Sequence, residues 1–308
     1  MLHYENPIVV TQVVRQILTD HESLIVERVL EGRSTAVYRV WNDDAILYLR
    51  ILPEQSASYA PEAYVHATLR AQGLLVPEVV YFEHYNPIVQ RSVMLTTSIM
   101  GRAIGGGSYP VQVHQIARQA GRELAQINRL SVQGFGWVQR PANEVHTLSA
   151  EYATYQEWMA HHFDASLSIL RQWQGLTPPD HHAIQAALAE AITVFGQEPA
   201  VLAHGDFDAT HIYQHNGRYT GIIDFGEMRG THLLYDIGHF WIENRDLLPS
   251  LLEGYAEVVA LPADCWRHIH LTGLLIAARR LGIRLAKQGN VHEPDVQAVQ
   301  RAIQVLNT

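Results

Sequence analysis

A chain of 308 residues, 47% apolar and 17% charged, has the composition of an ordinary globular protein of one or two domains. Its net charge of -9 excludes the basic stripe that general nucleic-acid binding needs, and suits a cationic small molecule better. The single cysteine, Cys265, excludes a disulfide framework within the chain.

The N-terminal segment has no basic stretch followed by an apolar one, and the apolar run from Leu271 is broken by Arg279 and Arg280. No membrane partner is therefore expected, and a cytoplasmic location is. Ile8, Val9, Val13, Ile17 and Leu18 recur at helical spacing and predict an opening helix. Leu24–Leu30, Thr35–Trp41 and Ala45–Ile51 read as three strands, separated by turns at Glu31–Ser34 and Asn42–Asp44. Pro61 suits the first position of a helix that carries Val65 and Leu69 on one stripe and stops near Gly73. Val76–His84 and Ser92–Ile99 complete a five-stranded lobe.

Strands give way to helices near Ser98–Arg102, so residues 1–98 are expected to form one lobe and 99–308 a second, mainly helical one, an α+β fold. Val113, Ile116, Ala117, Ala120, Leu124 and Ile127 mark one long helix. Tyr152, Tyr155, Trp158 and Phe163 mark another, and Ile184, Leu188, Ile192 and Phe195 a third. A single β interruption is expected in this half: Thr210–Gln214 and Arg218–Asp224, joined by His215-Asn216-Gly217, where Asn-Gly supplies the positive φ angles of a tight hairpin.

Acidic loops flank that hairpin: His204-Gly205-Asp206 before it and Asp224-Phe225-Gly226 after it. Pairing of the strands brings Asp206, His211 and Asp224 to one end. Phosphoryl transfer needs such a group, with one carboxylate to orient an acceptor hydroxyl and receive its proton, and others to hold the metal that bridges the nucleotide phosphates. Asp206 suits the first role; His211 and Asp224 suit the second.

The segment HGDFDATHIYQHNGRYTGIIDFGE, with Tyr235-Asp236-Ile237-Gly238 downstream, resembles the catalytic core of the aminoglycoside phosphotransferase family, a branch of the bilobal protein-kinase-like fold. The resemblance spans most of residues 20–240, and the DFDATHI pattern is similar to the 2''-phosphotransferase branch. It implies a kinase with Asp206 as catalytic base and Asp224 as metal ligand. At the second metal position the family usually has asparagine, and here it is His211. Mg²⁺ prefers oxygen ligands and imidazole suits softer metals, so the metal geometry is expected to depart from the family's; Mg²⁺ is the expected cofactor, with Mn²⁺ as the alternative. Asp236 corresponds to the acid that braces the catalytic loop through its backbone, and His204 is expected to be structural. Asp208 and Glu227 are further acids that could meet substrate or metal.

In the first lobe, the Glu31–Val37 turn offers Ser34 and Thr35 as phosphate donors. The only lysine is Lys287, so the cation that the family frequently carries on the third strand falls to Arg50, with Glu62 of the following helix as its partner. Backbone groups at Ser98, Ile99 and Met100 are expected to read the nucleobase of ATP or GTP. Gly105-Gly106-Gly107 lacks the G-K-[ST] of a Walker loop. The acceptor is expected to be an aminoglycoside or another small alcohol, and Glu151, Glu157, Glu243 and Asp246 are candidates to face its amines. Two competing readings are a noncatalytic nucleotide- or ligand-binding module on the same fold and a histidine-based metal protein, the latter from 18 scattered histidines.

Overall fold

The computed structural model describes residues 6–19, 23–30, 35–42, 45–105, 112–288 and 293–307. The Glu31–Ser34 turn, Ser34 included, lies outside them, as do Gly106 and Gly107.

Helix α1 (Pro7–Ile17) is opened by Asn6, whose side chain accepts from the Ile8 N–H at 3.0 Å, with proline at its first position. Strands β1 (Leu24–Arg28), β2 (Ala36–Asn42) and β3 (Ala45–Ile51), helix α2 (Ala60–Ala71), and strands β4 (Val79–Asn86) and β5 (Arg91–Thr97) follow. The strands form an antiparallel sheet in the order β1-β2-β3-β5-β4. Alternation along β2 and β3 turns Ala36, Tyr38, Val40, Leu47, Leu49 and Ile51 toward Val10, Val13 and Val14 of α1. The same period turns Val37, Arg39, Tyr48 and Arg50 to the opposite face, where they line a cavity of about 380 Å³. β4 starts at Val79 rather than at Val76 because Pro77 has no N–H to give to a ladder.

The second half carries β6 (Arg102–Ala103), α3 (Val113–Ile127), β7 (Val132–Gln133), β8 (Phe135–Val138), β9 (Leu148–Tyr152), α4 (Tyr155–Gln172) and α5 (Pro178–Phe195). β10 (Val201–Ala203), β11 (Ile212–His215), β12 (Arg218–Ile222), β13 (Arg229–Thr231), α6 (Tyr235–Glu243), α7 (Leu248–Ala256), α8 (Cys265–Gln288) and α9 (Glu293–Leu306) complete it. Capping boxes at Thr154/Glu157 and Thr177/Asp180 start α4 and α5. Glu157 is therefore occupied at a helix terminus.

Two expectations are corrected. The hairpin is not the only β structure of this half: a five-stranded sheet runs in the order β10-β13-β8-β9-β7, and β6 joins the hairpin as a third strand. These strands are two to five residues long and the β8 and β13 strands contain glycine, so they present no readable alternation. Tyr152 ends β9 instead of lying in the helix that Thr154 opens. One large core, from Val65 and Leu69 of α2 through α3 to α9, runs beneath the hairpin. Among the described residues no helix is long and apolar enough to cross a membrane.

Candidate active site

The hairpin turn places Asn216 and Gly217 at φ angles of 50° and 75°. At its far end, the loop from His204 to His211 and the turn Asp224–Glu227 lie against each other. Gly205 has a φ of 92°, and a Cβ there would sit 1.8 Å from the Glu227 carbonyl oxygen, so only glycine lets the two loops touch. Helix α6 holds the first loop. Asp236, fully buried, accepts from the His204 and Gly205 N–H groups, each at 2.8 Å, and from Asn128 at 3.3 Å. Asn244, at the end of α6, accepts from the Ala209 N–H at 2.8 Å.

Asp206 is half-exposed, and its Oδ1 lies 3.3 Å from His239 Nε2. The Nδ1 of His211 donates to the Asp206 carbonyl at 2.7 Å, and its Nε2 faces Asp224 Oδ2 at 3.9 Å. Asp224 holds a left-handed backbone conformation, φ 67°, and its Oδ1 meets Arg50 Nη2 at 3.3 Å. Arg50 Nη1 is paired with Glu62, which is buried on α2. Burial opposes the charge on Arg50, but Glu62, Tyr59 and Asp224 outweigh it and hold the guanidinium pKa above its ordinary value. Burial likewise pushes the Asp224 carboxyl up, but Arg50, His211 and His204 prevail and hold it below the usual carboxylate range. His204 is buried, donates to the Ile223 carbonyl at 2.9 Å, and is held below the usual imidazole range by burial and by neighbouring His211.

The cavity of about 380 Å³ is lined by Arg50, Thr96, Ser98, Ile99, His211 and Asp224 among others. The Ser98 N–H donates to the Ile46 carbonyl, and the Met100 carbonyl accepts from the Thr220 hydroxyl through one of its two lone pairs. Thr35 lines a different cavity, of about 540 Å³, with Glu54, Arg140, Glu151, Gly226 and Glu227. Glu227 accepts from Trp137 Nε1 at 3.2 Å and from Arg229 at 3.3 Å. Asp208 accepts from the Thr210 N–H at 2.6 Å and from its hydroxyl, closing a local turn. Glu243 is paired with Arg280, and Asp246 is exposed. Among the described residues no three histidine, cysteine, aspartate or glutamate side chains gather closely enough to hold a metal ion by themselves.

Sequence reasoning missed three residues at this site. His66 is buried one helical turn after Glu62, donates to the Pro77 carbonyl at 2.7 Å, and sets its ring edge-on to Phe225 at 5.0 Å. His239 and Asn244 contact the His204–His211 loop from α6. A helical i, i+3 or i, i+4 offset from an acid already singled out was the available signal for both histidines.

The sequence pattern of the phosphotransferase enzyme family matches residues 25–267, most of the chain. The chain belongs to this family. Both loops, the hairpin, Arg50 and Asp236 lie within the span shared with the phosphotransferase family. No curated protein matches the chain. Among solved structures, it is similar to a thermostable mutant of aminoglycoside phosphotransferase APH(4)-Ia in ternary complex with ADP and hygromycin B. That similarity has 15% identity and a TM-score of 0.66 and covers 96% of each chain. The macrolide 2'-phosphotransferase MphH from Brachybacterium faecium matches with 16% identity, a TM-score of 0.60, and coverage of 96% of this chain and 97% of its own. At these identities the shared property is the fold: the chain has the kinase-like α+β architecture of phosphotransferases, and it is an enzyme of that class.

Proposed function

We propose that this chain is a small-molecule kinase that moves the terminal phosphate of ATP to a hydroxyl of a small alcohol acceptor. The reading rests on one observation above the others: Asp206, His211, Asp224 and Arg50, from three separate segments, meet at one end of the hairpin beside the 380 Å³ cavity. Residues 1–98 would serve as the nucleotide lobe and residues 99–308 as the lobe that carries the catalytic loop and the acceptor.

The donor set suits a divalent metal. His211 gives its Nδ1–H to the Asp206 carbonyl, which leaves the Nε2 lone pair turned toward Asp224. Asp224 and His211 would hold Mg²⁺, with nucleotide phosphate oxygens and water as its other ligands; bound there, it neutralises charge on the phosphates. Arg50, fixed by Glu62, presents a guanidinium that can meet phosphate oxygens through its planar fork. Asp206 accepts the proton of the acceptor hydroxyl as that oxygen attacks the terminal phosphorus.

An aminoglycoside-like acceptor is supported by the DFDATHI motif, similar to the 2''-phosphotransferase branch, and by Glu54, Glu151 and Glu227 around the second cavity, where Arg140 and the Arg229 partner of Glu227 are the opposing charges. An acceptor screen tests the whole reading. Purified protein with ATP or GTP, and Mg²⁺ or Mn²⁺, is offered aminoglycosides, macrolides, amino alcohols and sugars. Acceptor-dependent ADP release with Mg²⁺ and ATP, greatest for aminoglycosides, is expected. Nucleotide binding without transfer to any of them would point to a noncatalytic module.

Asp224→Ala is expected to weaken Mg²⁺-dependent nucleotide binding by about 10- to 100-fold, the usual scale for disturbing a metal site. Titration calorimetry with and without Mg²⁺ reads this; a metal dependence equal to the parent's would remove Asp224 from the metal site.

A further inference from the structure

His239 projects from α6 toward Asp206 and is 5% exposed. Its Nδ1 lies 3.0 Å from the Phe207 carbonyl oxygen, and its Nε2 lies 3.3 Å from Asp206 Oδ1. A carbonyl oxygen and a carboxylate oxygen thus flank the ring, one facing each nitrogen, and the imidazole bridges the two. The bridge joins the backbone of residue 207 to the side chain of residue 206. It engages Oδ1 and leaves Oδ2 of the half-exposed carboxylate without that partner.

We infer that His239 is a positioning residue for phosphoryl transfer, holding Asp206 Oδ1 so that Oδ2 is the oxygen presented to the acceptor hydroxyl. The inference rests on the reading of Asp206 as the base. In the step it serves, the acceptor oxygen forms a bond to the terminal phosphorus of ATP and gives its proton to Oδ2. The bond from that phosphorus to the bridging oxygen breaks, and its electron pair leaves with ADP.

Three geometric reasons favour positioning over plain packing. The ring is fixed before it meets Asp206, because Phe207 is held in the core at 0% exposure and its carbonyl anchors Nδ1. Asp236, one helical turn earlier on α6, holds the N–H groups of His204 and Gly205, so one helix sets both the backbone and the carboxylate of the same loop. A carboxylate held at one oxygen has fewer orientations to offer, and misplacing a reacting group by an ångström costs rate.

Two near-isosteric replacements separate the two contacts. His239→Asn places an amide N–H2 near Nδ1 and keeps the Phe207 contact without reaching Asp206. His239→Gln places its amide near Nε2 and keeps the Asp206 contact. With the acceptor identified by the screen, His239→Asn is expected to lower kcat by about 10- to 100-fold, with KM for ATP and acceptor unchanged. His239→Gln is expected to recover most of that loss. In an Asp206→Asn background, His239→Asn is expected to add no further loss. Parental kcat in His239→Asn, equal losses in the Asn and Gln variants, or a loss confined to KM would each overturn the inference. Full turnover by Asp206→Asn would instead overturn the base assignment, so the two failures are told apart.

Discussion

Replacing Asp206 with asparagine is expected to lower kcat by about 100- to 10,000-fold, the range that a positioned general base contributes. The substitution keeps the size of the side chain and removes its ability to take a proton. Asp206 is half-exposed, so the fold should keep its stability. Nucleotide affinity should also survive, because the cavity beneath β3 is lined by Arg50, His211 and Asp224 and not by Asp206. Single-turnover kinetics beside calorimetric titration of ATP with Mg²⁺ measure the two properties separately. A variant that binds nucleotide and transfers phosphate at the parental rate would remove the proton-accepting role from Asp206.

The second large effect falls on the fold. Asp236→Ala should destabilise the protein by roughly 3–5 kcal/mol, because the carboxylate is fully buried and three donors, the N–H groups of His204 and Gly205 and the Asn128 amide, lose their acceptor. Asn128 also donates to the Leu202 carbonyl, so its own loss is partial and the two backbone groups dominate. Urea denaturation of parent and variant measures the difference. Stability within about 0.5 kcal/mol of the parent, a change ordinary for an exposed site, would mean that these amides find other partners.

The sequence made the first sheet legible almost to the residue at β3, because half-buried strands alternate and prolines and glycines mark their ends. The hairpin was legible for a related reason: Asn216-Gly217 determines its own turn. The second five-stranded sheet was not. Its strands are too short to show a period, and its pairings, such as β7 with β9 or β10 with β13, join segments that no local pattern connects. The site divides in the same way. Asp206, His211 and Asp224 stand in or beside a motif, and Arg50 is the one cation on an apolar strand, so all four could be named in advance. The contacts of Arg50 with both Glu62 and Asp224 depend on how α2 and the second half meet the sheet. His239 and Asn244 act through tertiary contact alone, and a histidine on a mostly apolar helix looks like core until its neighbours are known. Ser34 lies outside the described residues, and Thr35 turned out to face the second cavity instead of the first.

Helix α6 holds the His204–His211 loop at residues 204, 205, 206, 207 and 209, while its own Ile237, Phe240 and Trp241 are buried in the core. Ordering a backbone residue costs about 1–2 kcal/mol in conformational entropy, and for this loop that cost falls on folding rather than on the encounter with nucleotide and acceptor. The loop is thus preorganised: it meets its ligands already in one conformation, and binding free energy is not spent on shaping it.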